Sequence, residues 1–326
     1  MYNVAVVGAG YWGPNHIRVF SQLPNSTVKY VVDTNEAQVE KLKKQFRDID
    51  FSTTFEQVLM DIDVDAVVIC TPTSTHYSLV RRALCLGKHV LCEKPLCITE
   101  VEAQQLKAVA KASKSLLMVG HVFLFNAGII ALKEIVDSGE LGDLQYMYAT
   151  RTNLGPIRQD VNVIYDLATH DISIFDWILG STPIAWDGQC VQAITTKNED
   201  VIFAQLRYRK VSAHIHASWL DPKKVRQITI VGTKKMVVWD DMNLSTPIAI
   251  YDKGVATEYG SFGEFLKVTT WDGDIRMPKI SAQEPLKVQD SEFLRYIEIG
   301  KVEKSDVDFS IGVVRSAEAL TEHVRI

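Results

Sequence analysis

The stretch Gly8-Ala9-Gly10-Tyr11-Trp12-Gly13-Pro14 directly follows the apolar run at residues 3–7 and opens an amphipathic segment. Three glycines at this spacing, after a strand and before a helix, have a mechanical reading. The first two permit a tight turn and close approach of the backbone to a pyrophosphate. Gly13 lets helix and strand pack, and the helix N-terminus adds partial positive charge. Pro14 suits a first helical turn, where its missing N–H leaves nothing unpaired. Asp33 ends the next apolar run, at roughly the 20-residue offset of a ribose-binding carboxylate. A carboxylate there accepts from the 2′-hydroxyl of NAD and repels the 2′-phosphate of NADP. NAD is therefore the expected cofactor and NADP the less favoured one, with nearby Lys29 as the feature that speaks for NADP.

Outward from this turn, apolar runs at 28–32, 66–70, 89–92 and 116–119 alternate with helical patterns at 14–23, 36–46, 75–86 and 99–112. Thr99 with Glu102 three residues on reads as a capping box. Continuous apolar strands separated by helices predict an α/β doubly wound parallel sheet, covered on both faces. After Gly120 the rhythm changes. Helices are expected at 126–138 and 165–179, a strand at 144–153, and then only strand signals from 183 to about 270. Among these are runs at 201–208, 211–219 and 225–231, with Gly-Thr-Lys and Asp-Lys-Gly turns. Short connections between strands predict a mostly antiparallel, open-faced sheet in an α+β domain. Helical patterns at 288–299 and from 308 onwards close the chain. The expected division is 1–120 for dinucleotide binding and 121–326 for substrate binding and oligomerisation.

The 326 residues are 47% hydrophobic and 23% charged, a balance that excludes disorder, collagen and coiled coil. A formal net charge of −5 with no basic block argues against nucleic acid and anionic membrane as partners. The most apolar stretch, 115–132, is interrupted by Gly120, His121, Asn126 and Gly128, so a buried strand followed by a helix is expected rather than a membrane span. Five cysteines without a CxxC pair fit reduced thiols in a cytoplasmic protein. His214 and His216 share a strand face but lack a third ligand, so no metal site is expected. Trp186, Trp219, Trp239 and Trp271 read as sheet core or interface. An apolar face left open on the second sheet predicts a homodimer or homotetramer through it.

Glu93-Lys94-Pro95 follows the fifth apolar run, at the carboxyl edge where an open parallel sheet holds its ligand. Alone, a lysine after a strand is as readily a solvated residue as a ligand. In the run Gly87-Lys88-His89-Val90-Leu91-Cys92-Glu93-Lys94-Pro95-Leu96, however, the chain resembles the glucose-fructose oxidoreductase/inositol dehydrogenase family. The Gly8 turn, Thr71-Pro72-Thr73 with His76, and Val119-Gly120-His121 fall in that family's order. The resemblance extends over essentially the whole chain.

In that family the lysine of the Glu-Lys-Pro motif works with a DxxxH pair, here Asp166-Leu167-Ala168-Thr169-His170. Residues four apart lie on one helix face, so the carboxylate can orient the imidazole and raise its basicity. Oxidising a secondary alcohol takes a hydride acceptor and a base whose pKa lies near working pH, which His170 has intrinsically. His170 is therefore expected as acid/base, Lys94 as the group polarising the reacting oxygen and Asp166 as the orienting residue; the roles of Lys94 and His170 are exchangeable. The resemblance implies cofactor contacts from Gly8, Gly10, Tyr11, Trp12, Gly13, Asp33, Thr34, Thr71, Pro72, Thr73, His76, Glu93, Lys94 and His121. It also implies a cis Lys94-Pro95 peptide.

The segments Gly10-Tyr11-Trp12-Gly13-Pro14-Asn15, Leu141-Gly142-Asp143 and residues 151–163 look like the subgroup that acts on nucleotide-linked amino sugars. That subgroup, similar to UDP-N-acetylglucosamine 3-dehydrogenases, oxidises carbon 3 of the hexose. Arg151 and Arg158 are then expected on diphosphate oxygens, and Asn153, Asn162 and Tyr165 on sugar hydroxyls, beside Lys94 and His170. Ala127 and Thr169 stand where that pattern has prolines. The expected activity is NAD-dependent oxidation of a UDP-N-acetylhexosamine or its uronic acid at carbon 3. The alternatives are an inositol or free-sugar dehydrogenase, a deoxysugar-nucleotide 3-ketoreductase and, from another class, a non-catalytic NAD-binding sensor.

Overall fold

The computed structural model describes residues 1–194, 198–258, 267–281 and 283–323. The chain forms two compact units, Met1–Phe125 with Gln283–Glu318 and Asn126–Ala282 with Ala319–Ile326.

The first unit holds β1 (Tyr2–Val7), α1 (Gly13–Gln22), β2 (Ser26–Val32), α2 (Glu36–Lys43), β3 (Asp50–Ser52), α3 (Phe55–Met60), β4 (Ala66–Ile69), α4 (Thr73–Cys85), β5 (His89–Glu93), α5 (Glu100–Ser113) and β6 (Leu117–Gly120). All its strand pairs are parallel, in the order β3-β2-β1-β4-β5-β6. The order reverses between β1 and β4, and ligands of such sheets sit at that reversal, outside the carboxyl ends of the strands. Every residue of β4 is buried, the signature of a strand covered on both faces. The expected capping box of α5 is present, Thr99 accepting from the Glu102 N–H at 3.2 Å.

The second unit contains α6 (Ala127–Asp137), β7 (Leu144–Leu154), a π-helical turn (Ile164–Ala168) and α7 (Thr169–Leu179). Then come β8 (Ala185–Val191), β9 (Val201–Arg207), β10 (Ser212–Ser218), β11 (Leu220–Gly232), β12 (Met236–Asp240), β13 (Ile248–Glu258) and β14 (Lys267–Arg276). Eight strands run in the order β14-β13-β12-β11-β7-β10-β9-β8, antiparallel except for the β7–β10 pair. Burial alternates along β9, with Ile202, Ala204 and Leu206 buried and Phe203, Gln205 and Arg207 exposed, so one face packs inward and the other is open. Trp219 and Trp239 are fully buried.

Three differences from the sequence expectation have physical causes. The helices α8 (Pro285–Ile299) and α9 (Val307–His323) return, up to Glu318, to the first unit rather than to 121–326. Ile311 and Val314 of α9 join the core that Val67, Ile69 and Val90 build. Asp252-Lys253-Gly254 is not a turn: it lies inside β13 beside a register shift, where Gly254 leaves room for the Trp271 ring. The helix expected at 165–179 is interrupted at its start by the π turn, closed by the Thr169 N–H bonding to the Ile164 carbonyl five residues back. A proline at 169 would lack that N–H.

Candidate active site

In the first unit the glycine turn is built as its spacing predicts. Gly8 has φ +95° and a Cβ there would lie 2.7 Å from the Cys70 carbonyl carbon; at Gly13 it would lie 2.0 Å from the Gly8 oxygen. Beside Gly10 there is only open space. Asp33 Oδ2 accepts from the Ala9 N–H at 2.6 Å and Gln38 Nε2 donates to the Ala9 carbonyl at 2.7 Å, which fixes the turn from both sides. Tyr11 is 83% exposed and packs edge-on against Trp12. Thr34 is exposed. Two positions where only glycine fits, open space at the third and a helix N-terminus beyond make a cradle that fits a pyrophosphate. Lys29 is paired with Asp61 at 2.7 Å and Asp63 at 3.2 Å.

The carboxyl ends of β4 and β5 carry the next group. Thr71 and Pro72 lead into α4, whose first residue Thr73 is buried. His76 is also buried, its ring nitrogens each 2.8 Å from the carbonyls of Pro95 and Thr71. It ties the two loops together, a different place from the cofactor contact expected of it. Lys94 follows β5 directly, is 8% exposed and precedes a cis peptide to Pro95. The Glu93 carboxylate accepts from the Lys94 backbone N–H at 3.2 Å. His121 is buried edge-on against Phe309, and among the described residues its ring nitrogens have no hydrogen-bond partner. Burial first, and the Lys94 charge second, push its pKa down to about 3, so the ring is neutral.

In the second unit, Asp166 lies in the π turn and His170 in the first turn of α7. π turns recur at functional sites, because the extra residue re-aims the side chains around it. Asp166 Oδ2 accepts from the Trp219 indole N–H at 3.0 Å, and Oδ1 pairs with Arg158 at 3.2 Å. Arg158 also grips Asp160 with two nitrogens, at 2.9 and 2.6 Å. Asn162 caps the turn, its side-chain oxygen accepting from the Tyr165 N–H at 3.1 Å while its amide donates to Glu199 at 2.8 Å. Tyr165 is buried, its carbonyl accepting from the Thr169 hydroxyl.

Two expected substrate residues are placed differently. Arg151 is 2% exposed and its guanidinium makes a two-pronged pair with Asp171 at 2.9 and 2.7 Å, so it faces a carboxylate inside the core instead of a diphosphate. Asn162 is buried and spends its oxygen on the cap. Asn153 is half-buried and its amide donates to the Gly155 carbonyl, before a cis Gly155–Pro156 peptide. Sequence reasoning missed Trp219 as the partner of Asp166, although a buried indole N–H needs an acceptor. It also missed His16, on the same inward face of α1 as Ile17 and Phe20.

Among the described residues no helix is long and apolar enough to cross a membrane, and no group of three or more His, Cys, Asp or Glu could hold a metal. The five cysteines are free thiols, with Cys85 exposed.

The chain is 28% identical over 242 residues to an inositol 2-dehydrogenase of Agrobacterium fabrum, a match covering 73% of this chain and 65% of that one. Matches to the first curated relatives span from about half to about two thirds of those proteins' length. Among solved structures, UDP-N-acetylglucosamine 3-dehydrogenase GnnA from Acidithiobacillus ferrooxidans superposes with a TM-score of 0.83 at 22% identity, covering 99% of this chain and 97% of that one. GenD2 from gentamicin A biosynthesis, in complex with NAD, gives 0.82 at 23%, covering 99% and 93%. At these identities the solved structures establish the fold. Residues 2–121 match the model of the oxidoreductase family with an NAD-binding Rossmann fold, and residues 129–238 match the GFO/IDH/MocA C-terminal domain. The chain therefore belongs to the GFO/IDH/MocA oxidoreductase family.

Proposed function

We propose that the protein is an NAD-dependent dehydrogenase that oxidises a secondary hydroxyl of a sugar, at carbon 3 of a UDP-N-acetylhexosamine or its uronic acid. The observation that carries the reading is that one unit holds both a glycine cradle open at Gly10 and a nearly buried lysine at the carboxyl end of β5. The sugar nucleotide is supported by the likeness of residues 10–15 and 151–163 to that subgroup and by the neighbour whose name specifies UDP-N-acetylglucosamine.

The Gly8 turn, the N-terminus of α1 and Asp33 would hold the dinucleotide. When bound, NAD supplies the hydride acceptor. His170 takes the hydroxyl proton as the C–H bond breaks, and Lys94 donates a hydrogen bond to the reacting oxygen. Asp166, held by Trp219 and Arg158, is assigned the role of orienting His170. Arg158, committed to two carboxylates, serves by fixing Asp166. We assign the open face of the eight-stranded sheet, where Tyr146, Tyr148, Gln205 and His214 line a groove of about 470 Å³, to a second copy of the chain.

Nicotinamide reduction, followed by absorbance with UDP-N-acetylglucosamine, its uronic acid and myo-inositol in parallel, tests the reading. Turnover of a UDP-sugar, lost in Lys94→Ala and in His170→Ala, is expected. Turnover of myo-inositol alone, the reading the Agrobacterium relative favours, would overturn the substrate. Activity surviving both substitutions would overturn the site.

A further inference from the structure

His16 lies in α1, three residues beyond Gly13, and is completely buried. Its Nδ1 is 2.9 Å from Asp290 Oδ2 on α8, and its Nε2 is 3.1 Å from Glu93 Oε1 at the end of β5. Asp290 is also completely buried and Glu93 is 7% exposed. An ionised carboxylate only accepts hydrogen bonds, so a ring held between two of them satisfies both as an imidazolium with one N–H aimed at each. Beyond the ring the chain of bonds continues at both ends. Gln289 donates to the other oxygen of Asp290 at 3.3 Å, and the other oxygen of Glu93 accepts from the Lys94 backbone N–H at 3.2 Å. Gly120 leaves the space that the Glu93 carboxylate occupies, because a Cβ there would come within 3.1 Å of Oε1.

We infer that His16 and Asp290 are positioning residues for Lys94: the C-terminal helix α8, through an imidazolium clamped between two carboxylates, fixes Glu93 and the backbone from which Lys94 projects. The inference rests on the proposed role of Lys94. The groups facing His16 are Asp290 from α8, Glu93 from β5 and the Cys70 thiol just after β4, with the Phe20 ring stacked from its own helix. Burial opposes the charge on His16, but Asp290 and Cys70 outweigh it and hold its pKa well above the ordinary value. The helix end that begins the dinucleotide cradle and the motif that carries the lysine thus share one buried ion cluster. Removing one charge leaves the others uncompensated in the interior, which a neutral packing contact would not do.

The test uses the full chain with Asp290→Asn, which keeps shape and removes charge, and His16→Gln, which assigns the ring. Nitrogen-15 NMR of the imidazoles at about pH 8 is expected to show a protonated His16 in the unaltered protein, where a free histidine is neutral, and a neutral one in Asp290→Asn. With NAD and UDP-N-acetylglucosamine, Asp290→Asn is expected to lower kcat about tenfold or more while KM changes less than about threefold, the pattern of a group displaced in the transition state. A merely structural Asp290 would lower thermal stability and leave kcat per folded molecule unchanged. A neutral His16 in the unaltered protein, or a normal kcat in folded Asp290→Asn, overturns the inference. Lys94→Ala run beside it separates the two claims. If that variant keeps full activity, the role of Lys94 falls; if it is inactive while Asp290→Asn is normal, only the positioning role falls.

Discussion

The indole N–H of Trp219 donates to Asp166 Oδ2 at 3.0 Å, reaching from the end of β10 to the π turn that precedes His170. A hydrogen bond to a charged group contributes about 1.5–3 kcal/mol. Trp219→Phe keeps most of the buried ring and deletes the donor, so kcat is expected to fall about tenfold or more, with KM for NAD unchanged. Steady-state kinetics at fixed folded fraction checks this, and an unchanged kcat would remove Trp219 from the site.

Arg158 pairs with that same carboxylate from the other side. If it holds Asp166, Arg158→Ala lowers kcat by a similar factor for every sugar the enzyme accepts. Were it a diphosphate ligand, the loss would appear in KM, by about tenfold or more, and only for nucleotide sugars. Parallel kinetics on a UDP-sugar and any accepted free polyol distinguish the two.

Arg151 and Asp171 form a buried two-pronged ion pair. Arg151→Met strands the Asp171 carboxylate in the core and is expected to cost about 3–5 kcal/mol of stability. The double change Arg151→Met with Asp171→Leu should recover much of that loss. Denaturant unfolding of the two variants gives the answer; a single variant as stable as the starting protein would contradict the pairing.

Burial raises the Asp176 carboxyl pKa to about 8, against the lowering effect of the Tyr208 hydroxyl 2.7 Å from Oδ1. A carboxyl with a folded-state pKa above its unfolded one binds its proton more tightly when folded. Its contribution is therefore fully present below about pH 4 and lost as pH rises through about 8, at up to roughly 1.4 kcal/mol per pH unit. Asp176→Asn should flatten that slope and be the more stable form near pH 8. Unfolding curves across pH 5–8 would contradict this if both proteins showed the same slope.

How much of this the sequence disclosed depends on what a residue pattern can encode. Residues 66–70 read as a strand because parallel strands buried on both faces are continuously apolar, and β4 is buried throughout. β3, Asp50–Ser52, is too short to show a period. The amphipathic pattern of α9 records that one face is covered but not by what, so its place against Val67 and Ile69 had to come from the fold. In the site, Lys94, Asp166 and His170 are singled out by the resemblance of their motifs to the family's, since a lysine after a strand, or an aspartate four residues before a histidine, is equally common without a catalytic role. Arg151 looked like a phosphate ligand because its charge reads the same whether the partner is a diphosphate or Asp171, twenty residues on. The His16 cluster joins residues 274 positions apart, a separation no local motif spans.

The most direct measurement uses UDP-N-acetylglucosamine carrying deuterium at carbon 3, given to the purified protein with NAD. One deuterium in the reduced nicotinamide, a 3-keto sugar by mass, and no transfer in Lys94→Ala are the expected results. Unlabelled reduced nicotinamide formed at the full rate, or no turnover of this sugar beside rapid turnover of myo-inositol, would contradict oxidation at carbon 3 of a nucleotide sugar.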